Sequence, residues 1–324
     1  MKDICLPSRI HATRFFMEKV LKGDFSHPLV DAVKAKPDGI QANSGHSPDP
    51  ARVIEKHQPS TILRLTGACP QICSYCMCPT EDRRVLSRDE IDAAFAQMGQ
   101  NKQLLELVLS GGDPLFVKPE LLLFIADKVR ELNSGRRLPV SLSLSTRMPV
   151  VAPERFNGAL MDAVRELNPS HMDIHILHPD EITWEFLSVC NMLNGSIPGL
   201  SMGTVHPLLS GINADAALLK ELYSRLNAEA RIRPRDLAMP VPEVTPKKLL
   251  VSLEEAMAIM RELVRMLPGK LVPNLTMFCY SRNWKGSDVD PFHTKADGTF
   301  GYDVEGGHFR GLLFRDGSGP QPAA

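Results

Sequence analysis

From Thr61 onward the chain alternates between short β-type runs and longer amphipathic stretches. The β-type runs are ILRLTG (62–67), LELVLS (105–110), VSLSLST (140–146), MDIHIL (172–177), LSMGTV (200–205), IRPRDLAM (232–239) and LVPNLTMF (271–278). Helical patterns fill the gaps at 87–100, 118–133, 153–167, 182–194, 214–229 and 252–267. Regular strand–helix alternation implies a parallel sheet, because parallel neighbours need a crossover between them. Six such units predict a partial (β/α)6 TIM-type barrel with its chemistry at the C-terminal strand ends. Ser87 and Glu90 have capping-box spacing, and Asn133-Ser134-Gly135 and Asn194-Gly195 read as helix stops.

Residues 1–57 form an N-terminal extension, with a helical pattern over Ala12 to Lys22 and a Pro/Gly/Ser-rich stretch from Lys36 to Pro50. The barrel core is expected over 58–285, and 286–324 as a C-terminal closure and flexible tail ending in GSGPQPAA. A formal net charge of -1 gives no overall positive field for nucleic acid or an anionic membrane surface. The longest apolar stretch, Leu121 to Ala126, is too short to span a bilayer, and the N-terminus lacks a signal peptide's apolar core. Seven cysteines, an odd number with three close together, argue against a secreted disulfide framework and for the cytoplasm.

Three of them, Cys69, Cys73 and Cys76, follow the first run at CxxxCxxC spacing. Three thiolates on one loop can hold three corners of a [4Fe-4S] cluster. The fourth iron then stays open to the amino and carboxylate groups of S-adenosylmethionine (SAM). A structural zinc site with Cys78 as fourth ligand is the competing reading, but four thiolates within ten residues are cramped for it. A ferredoxin-type electron carrier normally brings four ligands. Tyr75 is placed to pack on adenine or to shield the cluster from water. The second run ends in Ser110-Gly111-Gly112-Asp113-Pro114. Two glycines let backbone approach a ligand, and Asp113 and Pro114 fix the following turn. The same residues also fit an ordinary strand-to-helix turn.

The order of these motifs resembles the lysine 2,3-aminomutase family of radical SAM enzymes. The likeness runs through CxxxCxxC, SGGDPL (110–115), TR-x-PVV (146–151), H-x-x-HP-x-EIT (175–183), a G…LL-x-G-x-N element (203–213) and R-x-RP (231–234). It covers about Thr61 to Lys285. The resemblance implies SAM across the strand ends and a 5′-deoxyadenosyl radical formed beside a substrate carbon. Ser145, Arg147 and His175 then join Tyr75, Gly111, Gly112, Asp113 and Pro114 as candidates for cofactor contacts. His178 is a further candidate for proton transfer.

The family's pyridoxal phosphate (PLP) lysine falls at Lys285, but the glycine-rich run before it reads Cys279-Tyr280-Ser281-Arg282-Asn283-Trp284. Cys78 stands where the family has an arginine, and the aspartates that hold a lysine amine align with Val241 and Phe278. Lysine is therefore disfavoured as substrate. Loss of the glycines favours a PLP-independent reaction on a small metabolite, by epimerisation, dehydrogenation or elimination. A PLP-dependent aminomutase acting on another amino acid stays open, as does a non-catalytic iron–sulfur or zinc protein. In the PLP-independent case Cys279 and Cys78 are candidate hydrogen-atom donors, although both also read as small buried hydrophobes. Cluster chemistry implies a reductant such as flavodoxin or ferredoxin. A homo-oligomer is compatible with the sequence.

Overall fold

The computed structural model describes residues 10–34, 53–57, 59–76, 83–242, 244–279, 284–286, 293–294 and 300–301. After a short helix α1 (Leu29–Ala32), strand β1 (Val53–His57) pairs antiparallel with β2 (Ser60–Thr66). Seven strands then run parallel in sequence order. They are β2, β3 (Glu106–Gly111), β4 (Ser141–Thr146), β5 (His171–Ile174), β6 (Ser201–Pro207), β7 (Arg233–Ala238) and β8 (Asn274–Cys279). Strand β9 (Trp284–Gly286) returns antiparallel on β8. The crossovers carry α2 (Arg88–Gln100), α3 (Pro119–Asn133), α4 (Met148–Val151) with α5 (Gly158–Leu167), α6 (Trp184–Ser196), α7 (Ala216–Ala230) and α8 (Leu253–Met266).

Sequential strand order with right-handed crossovers places every helix on one face. Neighbouring helices accordingly pack on each other, α2 on α3, α3 on α5, α6 on α7 and α7 on α8. Leu63, Leu65, Leu107, Leu109, Leu142, Leu144, Met172 and Ile174 point outward under this layer and are buried. Residues between them, including Arg64, Ser110, Ser145 and Asp173, occupy the inner face, as a period of two requires. The expected partial barrel is thus the observed one.

Several boundaries moved for local reasons. Helix α6 runs through Asn194-Gly195 to Ser196, and Asn194 Nδ2 instead donates to Ala230 O at 3.2 Å. The 153–167 pattern splits, because Asn157 caps a new helix through Leu160 N. The 172–177 run leaves the sheet after Ile174 to form the segment that carries His175 and His178. Within the extension, the Ala12–Lys22 pattern widens into a π-helical turn at Phe16–Val20. Phe16, Met17, Val20, Leu29 and Val30 share the barrel's own core. The Lys36–Pro50 stretch, Cys5 and the tail from 302 lie outside the described residues. No helix among the described residues is long and apolar enough to cross a membrane.

The predicted capping box is present: Ser87 Oγ accepts from Glu90 N, and the Glu90 carboxylate accepts from Ser87 N. Ser87→Ala is expected to cost about 1 kcal/mol, read as a lower urea midpoint. An unchanged midpoint would show that the box contributes nothing.

Candidate active site

Thr66 ends β2, and the chain turns into the loop bearing Cys69, Cys73 and Cys76, all partly exposed and none in a disulfide. The loop is pinned from below by the extension. Ile72 N donates to His11 O at 3.1 Å, Ser74 N to Ala32 O at 2.8 Å, and Ser74 Oγ to Asp31 O at 2.8 Å. Burial pushes the Cys69 and Cys73 thiols up, and the neighbouring Cys76 adds to both shifts. Tyr75 hydrogen-bonds the Cys73 sulfur, while Arg147 nearby favours the Cys73 thiolate.

The two glycines explain how β3 meets this loop. A Cβ on Gly112 would lie 2.2 Å from Ala68 O, and one on Gly111 2.4 Å from Thr66 O. Gly111 also has φ +118, which L side chains rarely adopt. Their bare faces admit the end of β2 itself, with Gly112 N donating to Thr66 O and Asp113 N to Ala68 O. The loop and the β3 exit therefore form one backbone unit. Asp113 is 2% exposed and its carboxylate accepts from Leu115 N, Thr146 Oγ1 and Arg147 N. Burial raises its pKa against those bonds. Asp113 thus ties β3 to β4 from within, and Pro114 opens the next turn.

Arg147, at the end of β4, is held by a fully buried partner that sequence reasoning passed over as a motif letter. Glu181 Oε1 accepts from Arg147 Nη2, and Glu181 Oε2 accepts from Leu177 N and His178 N. Arg147 Nη1 donates to His175 O at 3.2 Å. His175 Nε2 in turn pairs with Ser145 Oγ at 2.7 Å. Burial, with help from nearby cations, pushes the His175 pKa down to about 4. Its imidazole is therefore neutral near pH 7. The structure thus brings Cys69, Cys73, Cys76, Tyr75, Gly111, Gly112, Asp113, Ser145, Arg147 and His175 to adjoining ends of β2–β5. Cys78 lies outside the described residues. Cys279 ends β8 opposite Trp284, and Lys285 sits opposite Phe278 in the β8–β9 pair. Val241 is buried.

Next to β5, His206 is 1% exposed, with Nε2 beside Tyr223 Oη at 3.1 Å and Nδ1 beside Pro207 O at 3.2 Å. A neutral ring with its proton on Nδ1 satisfies both partners. Burial pushes its pKa down to about 4. The unfolded chain therefore takes up this proton first, so stability falls as pH drops from about 6.5 towards 4. The loss traceable to His206 is about 3 kcal/mol. It is checked by comparing urea midpoints of the wild type and His206→Gln at pH 7 and pH 4.5. An identical acid loss in both would remove His206 as a cause.

His27, His178 and Asp180 also gather within metal-ligand range. Leu29 N donates to His27 Nδ1 and Asp180 N to His178 Nδ1, which leaves each neutral ring protonated on Nε2. His27 Nε2 donates to Asp180 Oδ2 at 2.9 Å. The trio reads as a clasp between the extension and the barrel. A cavity of about 850 Å³ between α2 and α3, lined by Asp92, Lys102, Lys128 and Arg136, lies outside the helix layer and touches none of this chemistry.

Whether the site suits an added group is answered by what it leaves unpaired. Gln71, between Cys69 and Cys73 in the chain, is 4% exposed, and neither amide atom has a hydrogen-bond partner. The buried Arg147 Nε is also unpaired. Buried polar atoms seldom remain unsatisfied in a finished protein. Three soft thiolate ligands beside unspent donors fit an iron–sulfur cluster with a polar cofactor.

The family model for the radical SAM superfamily matches residues 63–198, from the middle of β2 through α6. Over that stretch the chain is similar to the radical SAM superfamily. It is also 30% identical over 193 residues to the L-lysine 2,3-aminomutase of Clostridium subterminale, covering 58% of this chain and 44% of that protein. It is 28% identical over 277 residues to the L-lysine 2,3-aminomutase of Haemophilus influenzae, covering 80% and 78%. The chain thus spans about half the length of several curated relatives it matches, and more of others. Among solved structures, Streptococcus suis SuiB bound to precursor peptide SuiA aligns with a TM-score of 0.48 and 12% identity, over 77% of this chain and 58% of that one.

Proposed function

We propose that this radical SAM protein abstracts hydrogen from a small metabolite without PLP. The observation that carries the reading is the joining of the three-cysteine loop to the β3 exit through Gly111 and Gly112, beside the buried Arg147 and neutral His175. Cys69, Cys73 and Cys76 would hold a [4Fe-4S] cluster, and the strand ends from Gly111 to His175 would hold SAM. A cluster bound there, reduced by a flavodoxin- or ferredoxin-type donor, would supply the electron for reductive cleavage of SAM. Asp113 fixes the β3 and β4 ends relative to each other, and Glu181 fixes Arg147. His175, neutral and bound to Ser145, can accept or donate a hydrogen bond without adding charge.

The names of the relatives favour a second reading, an aminomutase using Lys285 as a PLP anchor on an amino acid other than lysine. Anaerobic reconstitution with iron, sulfide and PLP, then borohydride trapping and intact mass, separates the two. No adduct, with SAM still cleaved to 5′-deoxyadenosine under dithionite, supports the PLP-independent reading. An adduct that disappears in Lys285→Ala establishes the aminomutase reading instead.

A further inference from the structure

We propose that the inner face of the sheet receives an oxyanion of the substrate, a carboxylate or phosphate, between Arg64 of β2 and Arg235 of β7. This rests on the radical SAM reading of the strand ends, and adds the substrate's chemical class. Sheet register defines the face. Arg64 is aligned with Ser110, Ser145 with Asp173, and Asp173 with Gly203, and neighbours in register point the same way. His175, two residues beyond Asp173, shares that face.

Arg64 is partly buried, and among the described residues its side chain has no acidic or hydrogen-bonding partner. A guanidinium withdrawn from water without a counter-charge is costly, and an incoming oxyanion would offset that cost. Arg235 is presented differently. Its Nη2 meets Asp173 Oδ2 at 2.9 Å and its Nε meets Asp236 Oδ2 at 3.2 Å, while its side chain is still 48% exposed. The two carboxylates fix the guanidinium plane and leave Nη1 unspent. Gly203 makes this arrangement fit. It lies on β6 between the two strands, and a Cβ there would stand 3.3 Å from Asp173 Oδ1 and 3.6 Å from Arg235 Cβ. Asp173 and Arg235 therefore meet over a bare backbone. A planar guanidinium whose orientation is set by carboxylates is suited to forked recognition of carboxylate or phosphate oxygens. A purely structural role would account for Arg235, which neutralises two buried aspartates, but leaves Arg64 unexplained.

The test uses cluster-reconstituted, SAM-bound full-length protein with acetate, inorganic phosphate and methylammonium as separate probes, followed by saturation transfer or line broadening. Acetate or phosphate is expected to bind, methylammonium is not, and the tighter anion identifies the oxyanion. Arg64→Met and Arg235→Met are each expected to weaken anion binding about tenfold or more. Arg64→Lys and Arg235→Lys should recover part of it. Because Arg64 has no partner to lose among the described residues, Arg64→Met should fold with unchanged or higher stability, which keeps the test open should Arg235→Met unfold. Absent anion binding, equal binding in Arg64→Met, or methylammonium bound in place of the anions would overturn the proposal. Assaying 5′-deoxyadenosine in the same samples separates the two readings. Anion binding without SAM cleavage would count against the radical reading alone, and SAM cleavage without anion binding against this inference alone.

Discussion

Glu181→Ala is expected to destabilise the protein by about 3–5 kcal/mol, the usual cost of stripping one partner from a buried ion pair. The carboxylate is fully buried and serves three donors, Arg147 Nη2, Leu177 N and His178 N. Its removal leaves a cation and two backbone amides without an acceptor. The loss would consume a large part of a typical stability margin. Urea denaturation measures it directly. The paired variant Arg147→Met with Glu181→Met should recover much of the loss, since replacing both charges by apolar groups is often tolerated. A single variant that loses less than about 1 kcal/mol would place the pair in wetter surroundings than its burial indicates.

The largest effect on activity is expected from the cysteine loop. Cys73→Ser should leave little bound iron and reduce SAM cleavage to the rate without protein, and Cys69→Ser and Cys76→Ser should match it. Serine removes the soft ligand while keeping the size. Cys190→Ala is the control, because Cys190 is buried in α6 away from the loop. It should retain both iron and cleavage, at a modest cost in stability. Equal loss of iron in all four variants would mean that the cysteines act through folding. Retention of four iron atoms per chain in Cys73→Ser would move the cluster to other ligands.

Much of the scaffold was legible because parallel strands buried under helices announce themselves as short apolar runs. The seven runs from 62 to 278 became β2 to β8 with shifts of a few residues. The Ser87–Glu90 box and the cysteine spacing were readable because both are local. Strand β1 was missed because it borders the extension, where no crossover rhythm marks it. Arg64, Asp173 and Arg235 were passed over because a polar residue alternating with leucines looks the same whether it faces water or the inside of a barrel. Only the folded sheet shows that Gly203 pairs with Asp173 and lies against the Arg235 side chain. The glycines of the β3 exit fit both a ligand cradle and an ordinary turn in the sequence, and the space their missing side chains vacate is taken by the end of β2.

The hydrogen bonds from Ile72 and Ser74 to His11, Ala32 and Asp31 make the metal-binding loop a splinted one. A short synthetic peptide carrying the same cysteines would reproduce their spacing but not their pose, since the splint comes from residues some forty to sixty positions earlier. Loading and folding are in this sense one event: the loop reaches its working shape only when the chain's first segment has already settled beneath it.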